Sequence, residues 1–63
     1  MTKTIFITGA SSGIGKEVAI NFSKNKWLVL AAARRVELVK KIALEAKNKK
    51  NGVIIPIKLD ITD

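Results

Sequence analysis

Apolar positions along this chain change their spacing four times, and each change marks a new element. Ile5-Phe6-Ile7 lies inside a strand-length stretch, residues 3 to 8, that is apolar at successive positions. Such a run suits an interior strand of a parallel sheet, buried on both faces with a neighbour on each side. From about 13 to 25 the period becomes helical, with Ile14, Val18, Ala19 and Phe22 on one stripe and Lys16, Glu17, Asn21 and Lys24 largely off it. Asn25 is placed to stop that helix. Trp27 to Ala33 is a second apolar run. Its three alanines favour helix, so a strand is predicted there from Leu28, Val29 and Leu30 and from the alternation of elements. A second helix follows over roughly 35 to 49, with Val36, Val39, Ile42, Ala43 and Ala46 on one stripe. Asn51-Gly52 signals a turn, and Val53 to Leu59 reads as a third strand. Pro56 has no N–H for a ladder, so that strand belongs at a sheet edge.

The order β-α-β-α-β predicts the α/β class and half of a Rossmann-like fold. Two right-handed crossovers in the same direction give a parallel sheet of order 3-2-1 with the third strand outermost. The sheet is predicted to be incomplete. Sixty-three residues is less than half of an ordinary domain, and Ile61-Thr62-Asp63 brings no closing element. Residues 1 to 63 are therefore expected to be the N-terminal part of a single domain.

The first strand runs directly into Thr8-Gly9-Ala10-Ser11-Ser12-Gly13-Ile14-Gly15, and the first helix follows at once. Glycines at a strand-to-helix junction allow positive φ and let a ligand approach backbone without meeting a Cβ. The helix behind them directs unpaired N–H groups and its dipole at an anion. A P-loop is excluded, because position 10 is Ala and Glu17 follows Lys16. The spacing G-x-x-x-G-x-G also departs from G-x-G-x-x-G. It resembles instead the TGxxxGxG cofactor loop of the short-chain dehydrogenase/reductase family, matched here over eight consecutive residues.

Composition narrows the chemistry further. No cysteine and no histidine are present, which removes a disulfide scaffold, a Cys/His zinc site, a thiol nucleophile and Ser-His-Asp chemistry. Twelve Lys/Arg against five Asp/Glu give a formal charge of +7. The basic residues are scattered over helix faces and the Lys47–Gly52 turn, and the two Phe and one Trp sit in apolar runs. A nucleic-acid partner, which needs aromatics interleaved with cations on one face, is not expected. Neither a secretory apolar segment nor the about 20 apolar residues of a membrane span is seen, so no membrane partner and a cytoplasmic location are expected.

The resemblance implies a nicotinamide dinucleotide as cofactor, held by Gly9, Ser11, Ser12, Gly13, Gly15 and the backbone N–H of Ile14, whose side chain is expected in the core. Thr8 is expected to brace the loop through its hydroxyl. Eighteen residues past Gly15 lies Ala33, where NAD-preferring relatives carry Asp, and no carboxylate occurs between Glu17 and Glu37. Arg34 and Arg35 follow instead, two guanidiniums suited to a 2′-phosphate, and cations that oppose the dipole of the helix they open. NADP(H) is therefore expected in preference to NAD, with Arg34 as main ligand and Arg35 assisting. Asp60 resembles the family's adenine-binding Asp, with Ile61 against the ring. Asp60 also suits a turn or an N-cap, and the two roles are compatible.

By the same resemblance the parent is expected to move hydride between nicotinamide and a small carbonyl or alcohol substrate, as a homo-oligomer. Relatives do this with a Ser and a Tyr-x-x-x-Lys helix, and no tyrosine occurs in these residues. No catalytic residue is assigned here. The alternative is an NADP(H)-binding sensor or scaffold, which a downstream Tyr-x-x-x-Lys pair would argue against.

Overall fold

A computed structural model describes residues 3–11 and 13–59. The elements are β1 (Thr4–Thr8), α1 (Gly13–Lys24), β2 (Leu28–Ala33), α2 (Val36–Asn48) and β3 (Ile54–Lys58). Both neighbouring pairs are parallel, in the order β1-β2-β3, which is the predicted 3-2-1 sheet. Each boundary falls within one or two residues of the one predicted from hydrophobic spacing.

Both helices pack against the sheet and against each other, so they share one face. The register assigns side chains to faces, because paired residues of parallel strands point the same way. Ile5, Val29 and Ile54 form one row toward the helices, and Ile7, Ala31 and Pro56 the next. Ile7, Val29, Ala31, Ala33 and Ile54 close on Ala19, Val39, Ile42 and Ala46 to make the core. Small alanines on β2 let the helices come close. Large residues on the opposite face, in the row Phe6, Leu30 and Ile55, meet no helix among the described residues, and Phe6 is 55% exposed. Among the described residues β1 pairs with β2 alone, as the predicted incomplete sheet requires; an interior first strand is the expectation for a whole domain.

Pro56 lies on β3, which pairs only with β2 among the described residues. Leu59 donates to Ala33 O at 3.0 Å, and by alternation along a parallel ladder the N positions of Ile55 and Ile57 face β2 as well. Position 56 then faces the free edge, where a missing N–H costs no ladder bond and blocks pairing with another chain.

Both helices end in the same way. After α1, Lys26 takes φ 68°, its N–H donates to Ser23 O at 3.0 Å, and Trp27 N–H donates to Phe22 O at 3.0 Å. After α2, Lys50 takes φ 58°, with Lys50 N–H on Lys47 O at 3.1 Å and Asn51 N–H on Ala46 O at 2.9 Å. These are two Schellman motifs, with lysine where glycine is usual. The hydrophobic contact that accompanies the motif is present after α1, where the Phe22 and Trp27 rings meet edge to face at 4.7 Å. The Lys3 ammonium lies 5.4 Å from the centre of the Trp27 ring. Trp27 is therefore a packing residue that closes the helix end rather than the first residue of the strand.

The two helix ends also touch. Lys26 Nζ donates to Lys50 O, and Gly52 N–H donates to Ser23 O at 2.6 Å. A Cβ at Gly52 would collide with Trp27 O, so this glycine is required by close approach and not by a turn with positive φ. Ser23, a polar residue of α1, is 1% exposed because this contact covers it, and its hydroxyl donates to Ile20 O at 2.9 Å.

Left-handed backbone is strained for lysine. Lys50→Gly in the full-length protein is expected to raise unfolding free energy by about 0.5–1 kcal/mol, and Lys50→Val to lower it by at least as much. Urea denaturation with an unchanged m-value checks this; equal stability of the three proteins would refute the strain.

Candidate functional site at the carboxyl ends of the strands

Parallel strands finish on the same side of a sheet, so the segments following β1, β2 and β3 are brought together whatever their sequence. Following β1, Gly9 takes φ 68°, and Gly13, opening α1, takes φ 54°. Chain neighbours aside, nothing among the described residues lies within 4 Å of where a Cβ would stand at either residue, so both present open backbone. Gly15 differs, since a Cβ there would strike the carbonyl of Gly9. The three glycines thus divide the work: two shape an exposed bend and the third lets α1 sit directly on it.

Ala10 locks the bend in place. It is fully buried, and its N–H donates to Ala32 O at 3.2 Å, joining the loop to the end of β2. Sequence reasoning passed over Ala10. The available signal was a single small apolar residue inside an otherwise polar loop. Ser11 is half-buried beside it, and Ser12 lies outside the described residues. The first turn of α1 carries no acidic side chain, so nothing within it competes with an incoming anion.

Ile14 corrects an expectation. Its side chain, predicted to be core, is 81% exposed. The first turn of α1 projects past the end of β1, and no described element covers that side, so burial on α1 begins further along, at Ala19. Its backbone N–H, the predicted ligand-facing group, belongs to that first turn.

Following β2, Arg34 and Arg35 are both exposed, and α2 begins at Val36. Arg35 is the N-cap, with φ −95° and ψ 78°, and its side chain makes no capping hydrogen bond. Arginine is a poor N-cap, since it has no acceptor for the free N–H groups. Glu37 in the first turn offsets part of the unfavourable charge. Ala33, the last residue of β2, is 2% exposed.

Following β3, Leu59 is tied to Ala33 O, which directs the chain toward the same corner. Asp60 and Ile61, the predicted adenine contacts, lie outside the described residues. Among the described residues no group of three or more His, Cys, Asp or Glu side chains is placed to hold a metal, and no helix is long and apolar enough to cross a membrane. A separate groove of about 550 Å³ lies between α2 and β3, lined by Lys40, Ala43, Leu44, Lys47, Val53 and Pro56. It holds no residue from any of the three strand-end segments.

Comparison with known proteins agrees with this arrangement. Residues 3–63 match the family model for short chain dehydrogenases. The chain is 48% identical over 62 residues to an NADP-dependent 3-hydroxy acid dehydrogenase of Schizosaccharomyces pombe, covering 97% of this chain and 24% of that protein. It is 43% identical over 60 residues to an NADPH-dependent 1-acyldihydroxyacetone phosphate reductase of Saccharomyces cerevisiae, covering 95% of this chain and 19% of that protein. Among solved structures, an alcohol dehydrogenase from the archaeon Thermococcus sibiricus, complexed with 5-hydroxy-NADP, superposes with a TM-score of 0.87 at 32% identity over 95% of this chain and 26% of that one. The chain thus spans about a quarter or less of the relatives it matches. By its glycine loop, its half-sheet and the match over nearly its whole length, the chain belongs to the short-chain dehydrogenase family.

Proposed function

We propose that these residues form the cofactor-holding part of an NADP(H)-dependent oxidoreductase acting on a small carbonyl or alcohol substrate, and that they lie at the start of a single dinucleotide-binding domain. The observation that carries the NADP(H) preference is the pair Arg34 and Arg35, exposed at the start of α2, where Arg35 as N-cap supplies no side-chain hydrogen bond and position 33 carries no carboxylate. Two cations at a helix N-terminus cost stability in the free protein, and a bound phosphate reverses the sign of that cost. Names of relatives and the cofactor in the archaeal structure support the same choice.

The residues present fit such a cofactor. Open backbone at Gly9 and Gly13 accepts the pyrophosphate against the first N–H groups of α1, including that of Ile14, and the hydroxyls of Ser11 and Ser12 are assigned to the same ligand. Arg34 takes the 2′-phosphate bidentately and Arg35 adds charge. Asp60 accepts from the adenine amino group, with Ile61 on the ring. Bound in this way, the dinucleotide supplies the hydride through its nicotinamide. These residues bind and orient it, and they include no group assigned to proton transfer. A cytoplasmic location and a homo-oligomeric parent complete the proposal.

Fluorescence titration of the full-length protein is expected to show NADPH binding tighter than NADH, with Arg34→Ala weakening NADPH by about tenfold to a hundredfold and NADH by much less. Equal affinity of the wild type for both would refute the preference. Gly15→Val is expected to weaken both dinucleotides more than about tenfold, because its side chain displaces the Gly9 carbonyl and the loop with it. Unchanged binding by that variant would show that the loop is not the pyrophosphate site.

A further inference from the structure

We infer that Lys58 is a third cationic contact for the adenosine 2′-phosphate, reaching it from β3, and that it helps set the preference for NADPH over NADH. The inference rests on the NADP(H) reading above. It arises from strand register, which sequence spacing alone does not supply. Lys58 pairs with Ala33, the last residue of β2 and the one immediately before Arg34. Leu59 N–H donates to Ala33 O at 3.0 Å, so the end of β3 is stitched to the same residue that positions the arginines.

Paired residues on adjacent parallel strands are about 5 Å apart and point to one face. Lys58 therefore leaves the sheet on the side where Ala33 points and where α2 packs, next to the N-terminus that Arg35 opens. Along that face of β3, Ile54 is core and Pro56 is half-buried, whereas Lys58 is exposed, the first polar group met on approaching the strand ends. Its side chain makes none of the side-chain hydrogen bonds found among the described residues, which involve Ser23, Asn25 and Lys26. A four-carbon stem carries a mobile ammonium about 6 Å from its Cα, enough to span from β3 to a phosphate beside Arg34. Ala33 matters to this geometry as well, because its short side chain leaves the intervening space clear of a carboxylate that would otherwise pair with the ammonium.

The competing explanation is a solvated lysine at a strand end. The two differ in the size of the selectivity, because a bystander cation acts on the extra charge of NADPH only through screening solvent, whereas a contacting one loses a direct pair. An exposed charge pair is screened, so the effect is modest. In the full-length protein, Lys58→Gln is expected to weaken NADPH binding about fivefold and NADH binding by less than about twofold, with the loss shrinking at high salt. Lys58→Arg is expected to retain most of the selectivity, and thermal unfolding without cofactor should match the wild type for both variants. Arg34→Ala in the same titrations separates the two levels of the argument. If Arg34→Ala abolishes the preference while Lys58→Gln leaves the NADPH to NADH ratio unchanged, the role of Lys58 is overturned and NADP(H) binding stands. If the wild type binds the two dinucleotides equally, the NADP(H) reading falls and the Lys58 contact with it.

Discussion

The carbonyl of Gly9 occupies the space that a side chain at Gly15 would need, and this close approach fixes where α1 begins relative to β1. Had α1 been held off by even a methyl group, the first-turn N–H groups would no longer stand over the end of the strand. Two backbone hydrogen bonds extend that placement sideways. Ala10 N–H to Ala32 O ties the loop to β2, and Leu59 N–H to Ala33 O ties β3 to the same strand. Among the described residues the three strand-end segments are thereby tied together by backbone.

Charge is arranged differently at the two ends of the sheet. At the amino ends of the strands, Lys24 and Lys47 lie in the last helical turns, where a cation complements the dipole. The strained backbone of Lys26 and Lys50 is compensated there by paired Schellman hydrogen bonds and by the contact between the two helix ends. At the carboxyl ends, Arg34 and Arg35 sit against a helix N-terminus whose N-cap residue makes no side-chain capping bond, a placement that weakens the free fold. The rule for charge at helix ends is obeyed at one end and broken at the other, and the proposed anion site would account for the break.

Much of this was legible beforehand, because each element is specified by local spacing. The stripe Val39, Ile42 and Ala46 on α2 is buried as its period requires, and Pro56 lies in a strand with β2 as its one neighbour among the described residues. Failures came where burial depends on a neighbour distant in sequence. Ile14 fits the apolar stripe of α1 yet extends beyond the sheet, whereas Ser23 looks polar yet is sealed by Gly52 from the next loop. Lysine at φ 68° and 58° could not be read from composition, since Gly or Asn would signal such positions. The glycine loop and the arginine pair were visible because they are contiguous motifs, whereas Ala10 and Lys58 acquire their places only through pairing with β2.

The most direct test of this account is a diffraction structure of the full-length protein with NADPH. The diphosphate is expected within about 3 Å of the backbone N–H groups at the start of α1, over Gly13 to Gly15, with the 2′-phosphate on the Arg34 guanidinium. A dinucleotide seated elsewhere, or one whose 2′-phosphate points to solvent with Arg34 turned away, would contradict it.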